Sequence, residues 1–174
     1  MRPDFALLSN HDRKAFHCGE PSLDRYLQQQ ASQDVRRGLA ACHVLVDLDN
    51  PLQIIGYYTL SNTTVLLDEL PETIQKTARP YSHVPAILIG RLAVDGVFQG
   101  RGIGDVLLGD ALLRIVRLSR EVGSKLVIVD ALNEGVIGFY ARREFQRLQD
   151  QPLRLFLPVI KISAIFPDAN PPAT

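Results

Sequence analysis

Apolar and polar positions alternate along this chain with two different periods, and the switches between them predict its elements. Residues 4–9 read as a short first strand. Leu23, Tyr26, Leu27, Gln30, Ala31 and Val35 then recur at helical spacing. Arg25, Gln28, Gln29, Ser32, Gln33 and Arg36 fall on the opposite face, residues 16–22 supply a turn with helix-start residues, and Gly38 is placed to end the helix. Residues 41–48 and 52–67 are rich in Val, Leu, Ile, Tyr and Thr around Asp49-Asn50-Pro51, which predicts an antiparallel hairpin with a long second strand. Within it, Gly56 marks a bulge or a close backbone approach, and Tyr57 and Tyr58 alternate, so that one belongs to the core and the other faces a cleft or water. Residues 68–78 are a short amphipathic helix or an irregular insertion, ended by Arg79-Pro80, and His83 beyond them is read as a surface residue.

The second half is organised around one turn. Residues 84–95 form a nearly continuous apolar run, the pattern of a strand covered on both faces as in a parallel pair. Residues 102–122 carry apolar side chains at 107, 108, 111, 112, 115, 118 and 122, with Asp110, Arg114, Arg117, Arg120 and Glu121 assigned to the outer face. Residues 125–131 are a second apolar strand, which makes strand, helix, strand a right-handed βαβ unit. Asn133 is a candidate N-cap for a helix ending near Arg143, and residues 145–148 and 153–158 read as antiparallel closing strands. Between the first strand and helix of the βαβ unit lies Gln99-Gly100-Arg101-Gly102-Ile103-Gly104. Alternating glycines let backbone N–H groups converge at a helix N-terminus, where unpaired donors and the macrodipole favour an anion. A P-loop would need Lys and Ser/Thr after the last glycine, but Asp105 and Val106 follow it; a dinucleotide fingerprint starting at Gly100 would need glycine at Asp105. Taken alone, the turn is equally a glycine-rich helix cap.

Composition narrows the class. The 174 residues suffice for one domain with a sizeable core, and 46% hydrophobic with 22% charged residues is ordinary for a globular protein. Lys+Arg and Asp+Glu both number 19, so a nucleic-acid partner has to be held by a local patch. No apolar run approaches the roughly 20 residues of a membrane span and no secretory signal opens the chain. Cys18 and Cys42 make no disulfide framework, pointing to a cytoplasmic protein, and with His17 and His43 they lack metal-ligand spacing, so no metal is expected.

The pattern Gln99-x-x-Gly102-x-Gly104 after Leu92-Ala93-Val94 resembles motif A of the GNAT acetyltransferase superfamily, Q/R-x-x-G-x-G/A. Asn133 to Phe145 resembles its motif B, N-x-x-A-x-x-F-Y-x-x-x-G-F, departing from it at Gly135-Val136 and at Glu144, which replaces a glycine. Glu144 is expected to resist the positive φ of a glycine helix end, so the helix exit is expected to differ. The resemblance implies a GNAT fold of α/β (α+β) class: a mixed, mostly antiparallel sheet with a central βαβ unit and flanking helices, in one domain over residues 1–166 with a disordered tail at 167–174. It implies acetyl-CoA as co-substrate, its pantetheine arm on the backbone of Leu92, Ala93 and Val94, and its pyrophosphate on Gln99, Gly100, Arg101, Gly102, Ile103 and Gly104, with Asn133 also at the cofactor. It makes Tyr140 the acid that protonates the leaving thiolate, the alternative being a core aromatic beside Phe139.

Further residues carry a finer likeness. Phe16-x-Cys18-Gly19-x-x-x-Leu23-Asp24-x-Tyr26-Leu27, Ala31-x-x-Asp34, residues 56–61, Gly90-Arg91-Leu92-Ala93-Val94-Asp95 and Val129-Asp130-Ala131 together resemble the GNAT toxins of toxin–antitoxin modules. This implies acetylation of the α-amino group of aminoacyl-tRNA, which blocks translation, a ribbon-helix-helix antitoxin as partner, and a homodimer. Arg36, Arg37, Lys76, Arg79 and Arg91 are the candidates to line a tRNA groove, although Arg36 and Arg37 equally suit a helix C-terminus. Two other readings stand beside it: an N-acetyltransferase for small amines or protein N-termini, and a module that binds acetyl-CoA without turnover, against which Tyr140 and the intact glycine turn argue.

Overall fold

In the computed structural model residues 1–166 are described; the tail expected at 167–174 lies outside them. The elements are β1 (Pro3–Leu7), α1 (Pro21–Arg25), a π-helical turn (Tyr26–Gln30), α2 (Ala31–Arg36), β2 (Ala41–Asp47), β3 (Asn50–Leu66), α3 (Glu72–Ala78), β4 (His83–Val94), α4 (Ile103–Val122), β5 (Leu126–Asp130), α5 (Glu134–Ala141), β6 (Gln146–Leu148), β7 (Gln151–Pro158) and α6 (Val159–Ile165). The chain divides into two compact units, one of Met1–Ser61 with Gly90–Ala111, the other of Asn62–Ile89 with the chain from Leu112 onward. β3, β4 and α4 each run through both.

In the first unit the strand order is β1-β2-β3-β4. β1 pairs antiparallel with β2, from Pro3 opposite Asp47 to Leu7 opposite His43, and β2 pairs antiparallel with β3. Leu45 faces Gly56 while Val46 faces Ile54, so one residue of β3 is extruded as a bulge beside Gly56. Gly56 is also a point of close approach. A Cβ there would lie 2.8 Å from Leu107 Cδ1 and 3.0 Å from the Ala93 carbonyl oxygen. The core of this unit gathers Phe16, Tyr26, Leu27, Val44, Ile54 and Tyr57.

Tyr57 and Tyr58 are both fully buried, which corrects the expectation that one of them faces a cleft or water. β3 lies between two paired strands and is covered on both faces. Tyr57 meets Phe16 edge-on at 5.4 Å and donates to the Leu23 carbonyl at 2.9 Å. Tyr58 stacks on His43 at 5.1 Å and donates to the Asp110 carboxylate. Asp110, assigned from periodicity to the outer face of α4, is thus half-buried and satisfies a core phenol.

In the second unit β4 pairs in parallel with β5 from Ala86 opposite Leu126 to Ile89 opposite Val129, and α4 is the crossover between them. β5 pairs antiparallel with β7, and β7 with β6. The core gathers Val65, Leu70, Val84, Leu126, Ile128 and Phe156. The insertion at 68–78 is largely helical, as α3.

Candidate active site

The glycine turn of the first unit is held from behind by a network of polar contacts. Asp95 is buried; its carboxylate accepts from the Val97 N–H at 3.0 Å and from the His17 N–H at 2.9 Å, while the Gly96 N–H donates to the His17 carbonyl at 2.8 Å. The Gln99 carboxamide donates to the carbonyls of Cys18, at 2.7 Å, and Val94, at 2.9 Å. The side chain expected at the cofactor therefore ties the end of β4 to the loop before α1. The Cys18 N–H in turn donates to Asp24 in α1 at 2.8 Å, and burial pushes the Cys18 thiol up to about 11. None of this bracing was legible beforehand; an aspartate before a Gly-x-Phe turn is a local signal for such a cap.

Gly100 and Gly102 take φ of +73° and +76°, and a Cβ on either would enter open space, while Gly104 already belongs to the first turn of α4. The N–H groups of Asp105 and Val106 return to the Gly102 carbonyl, so those before them face outward from the helix start. Arg101 is exposed, its guanidinium 5.7 Å from the Phe98 ring centroid. Backbone donors, space left by absent side chains and an exposed cation fit a diphosphate. Ile103 is buried, so only its backbone can contribute; Leu92 and Val94 are half-buried and Ala93 packs into the core with Tyr26 and Tyr57.

Tyr140 lies in the second unit, on α5. Asn133 caps this helix, its side-chain oxygen accepting from the Gly135 N–H at 2.8 Å. Tyr140 is 8% exposed, with Phe139 at 5.1 Å and Phe145 at 5.6 Å, both edge-on. Burial pushes its hydroxyl up to about 12, against a smaller downward pull from Arg143. It holds its proton throughout the neutral range, as an acid must.

The exit of α5 corrects the expectation for Glu144. This residue does adopt the left-handed conformation, at φ 65°. Its N–H returns to the Ala141 carbonyl at 3.1 Å and that of Phe145 to the Tyr140 carbonyl at 3.3 Å, the paired bonds of a Schellman motif. The Phe145–Tyr140 contact closes the motif hydrophobically, and burial of Phe145 holds Glu144 in a conformation it would otherwise avoid.

The five candidate tRNA contacts are divided between the units. Arg36 and Arg37 are exposed at the end of α2, and Arg91 is half-buried on β4. Lys76 and Arg79 are exposed in the second unit, Lys76 pairing with Glu72 at 3.4 Å. Among the described residues no cluster of three His, Cys, Asp or Glu side chains could hold a metal ion.

Known proteins match this chain over most of its length. A "tRNA-acetylating toxin" of Mycobacterium tuberculosis (strain ATCC 25618 / H37Rv) is 34% identical over 84% of this chain and 85% of its own. The structure of the toxin AtaT complexed with acetyl-methionyl-tRNAfMet has a TM-score of 0.88 and 30% identity, covering 94% of this chain and 99% of that one. A tyrosine-to-phenylalanine mutant of AtaT, bound to the C-terminus of the antitoxin AtaR and acetyl-CoA, gives a TM-score of 0.81 and 26% identity over 95% and 99% of the two chains. The sequence profile of the acetyltransferase (GNAT) family matches residues 6–145, and with the glycine turn opening α4 and a buried tyrosine on α5, the chain belongs to that family.

Proposed function

We propose that this acetyltransferase moves the acetyl group of acetyl-CoA to the α-amino group of aminoacyl-tRNA and acts as a toxin by blocking translation. One observation carries the reading. The turn Gln99–Gly104 presents open, donor-lined space at the start of α4, in a chain 34% identical to a tRNA-acetylating toxin. Acetyl-CoA supplies the acetyl group as an activated thioester. Gly100, Arg101, Gly102, Ile103 and Gly104 hold the diphosphate, chiefly through backbone N–H groups, and the backbone of Leu92, Ala93 and Val94 lines the pantetheine arm and supplies an oxyanion donor. Gln99 and Asn133, whose side chains bond the chain's own backbone, serve by fixing the turn and α5. Tyr140 gives its proton to the departing sulfur as the amine nitrogen loses one, so protons balance over the turnover. An acetylated α-amine is no longer a nucleophile and cannot accept a growing peptide.

We further read residues 1–166 as one domain, because β3, β4 and α4 run through both units. The reading extends to a cytoplasmic homodimer neutralised by a ribbon-helix-helix antitoxin. One observation supports an antitoxin partner: AtaT was solved with an antitoxin segment.

The test is incubation with labelled acetyl-CoA and total charged tRNA beside a panel of small amines and peptide N-termini, read by mass spectrometry of the amino acid released from tRNA. The expected product carries an acetyl group only when enzyme, acetyl-CoA and charged tRNA are all present. Unmodified amino acids together with efficient acetylation of small amines or peptides would overturn the reading.

A further inference from the structure

Arg91 is a half-buried cation of the first unit whose role the glycine turn and Tyr140 leave open. Its guanidinium lies 3.5 Å from the centroid of the Tyr26 ring, half-buried. Among the described residues, no carboxylate pairs with it and no acceptor takes a hydrogen bond from its five N–H groups. Its support is nonetheless built with care. Tyr26 opens the π-helical turn, where the Ala31 N–H reaches back to the Tyr26 carbonyl; such turns are rare and cluster at functional sites. The Tyr26 hydroxyl donates to Asp34 at 3.0 Å, and Tyr57 stacks on the ring from within the core. Asp34, which takes the hydrogen bond of the Tyr26 phenol, forms no ion pair with Arg91 among the described residues. The Arg91 charge is felt deeply enough to oppose the upward shifts of Tyr26, Cys42 and Tyr57. A guanidinium held over an aromatic face with its fork of donors unclaimed suits a bidentate oxyanion, a carboxylate or a phosphate, and on a tRNA substrate that oxyanion is phosphate.

Its place along β4 says which phosphate. Arg91 precedes Leu92, Ala93 and Val94, and with Ala93 it faces Tyr26, whereas Leu92 and Val94 alternate to the other face of the strand. The diphosphate cradle is at the far end of this segment, beyond Asp95 and the turn at 96–98. If the pantetheine arm follows residues 92–94, the reacting carbonyl comes toward residue 91 and away from the cradle. An aminoacyl-tRNA delivers its amine there on the terminal adenosine, with one phosphodiester immediately behind it.

We propose that Arg91, clamped on Tyr26, binds the phosphodiester preceding the terminal adenosine of the charged tRNA and so sets the acceptor amine against the thioester. The proposal rests on the aminoacyl-tRNA reading and names the group that would make such an acceptor preferable to a free amine. It is tested with three acceptors bearing the same amino acid: charged tRNA, an aminoacylated dinucleotide with one phosphodiester, and an aminoacyl-adenosine with none. Relative to wild type, Arg91→Gln is expected to lose about 10- to 100-fold more kcat/KM on the two phosphate-bearing acceptors than on the phosphate-free one, the size of a charge-assisted contact. The loss should fall on acceptor KM and leave the KM for acetyl-CoA in place. Arg91→Lys, keeping charge without the fork, should recover part of it, and the slope of log kcat/KM against log salt on tRNA should fall by about 1 in Arg91→Gln. Equal losses on all three acceptors, or a rise in acetyl-CoA KM, would show that Arg91 only packs on Tyr26 and would overturn the proposal while the function stands. A wild-type enzyme that binds acetyl-CoA but acetylates none of the three would overturn both.

Discussion

Tyr140 is a buried phenol whose ring is held edge-on by Phe139 and Phe145, and that packing separates its two contributions cleanly. The ring packs at the end of α5; the hydroxyl is the proposed proton donor. Tyr140→Phe keeps the first and deletes the second. Its thermal midpoint and acetyl-CoA affinity should stay near wild type while the chemical step slows roughly 10²–10⁴-fold, as measured by single-turnover acetylation. A mutant with near-native turnover would show that the thiolate leaves unassisted. The pH profile follows from the same burial. An ordinary tyrosine ionises near pH ~10, but burial raises this one to about 12, so the acid form persists at higher pH, not lower. The rate should rise as the acceptor amine deprotonates and then hold level, with no descending limb near pH ~10 in kcat/KM. A fall there that disappears in Tyr140→Phe would mean that the hydroxyl is less buried than described.

Two elements depend on single backbone positions, and they illustrate what sequence can and cannot disclose. The close approach at Gly56 was readable, because a lone glycine weakens the interior of a long strand and is kept there where the chain bends or another group comes near. Which atoms it admits was not readable. Those atoms are Leu107 of α4 and the carbonyl of Ala93, in the part of β4 proposed to line the pantetheine arm. Leu107 can rotate but the Ala93 backbone cannot, so Gly56→Ala should cost about 1–3 kcal/mol in denaturant unfolding and weaken acetyl-CoA binding in calorimetry. Loss of stability with wild-type binding would mean that the segment tolerates the shift. Glu144 takes the left-handed conformation against the preference of its residue type because the aromatic contact of Phe145 with Tyr140 overrides the local cost, a tertiary effect that no window of sequence contains. Glu144→Gly should therefore stabilise the protein by about 0.5–1 kcal/mol, the relief of backbone strain less the added freedom of the unfolded chain. The exposed pairing of Glu144 with Lys161 at 3.9 Å is too loose to reverse the sign.

For the molecule as a whole, the strand–turn–helix–strand core and the glycine turn were legible because their signals are local: apolar runs, helical periodicity and glycines at fixed spacing. One of Tyr57 and Tyr58, and Asp110, were misplaced because their environment comes from elements far away in sequence, which periodicity cannot see. The bracing of the turn by Asp95 and Gln99 escaped for the same reason, since its partners lie at residues 17 and 18. Charge is the other property of the whole chain. With 19 basic and 19 acidic residues there is no long-range field to draw in a polyanion, so affinity for tRNA must come from a few exposed cations close to where it docks. Arg36 and Arg37 are exposed side by side at the end of α2, just before the positive-φ Gly38 that stops the helix. Their helix-end placement alone is worth only a few tenths of a kcal/mol to about 1, so reversing their charge should leave the fold intact. If they also contact phosphate, Arg36→Glu with Arg37→Glu should lower kcat/KM on charged tRNA by about tenfold or more and reduce its dependence on salt by up to about two phosphate contacts. Acetyl-CoA affinity should not change, since the turn proposed to hold it is braced by other residues. Activity on charged tRNA at wild-type level across a salt titration would assign the two arginines to the helix terminus alone and leave the docking surface to be sought elsewhere on the protein.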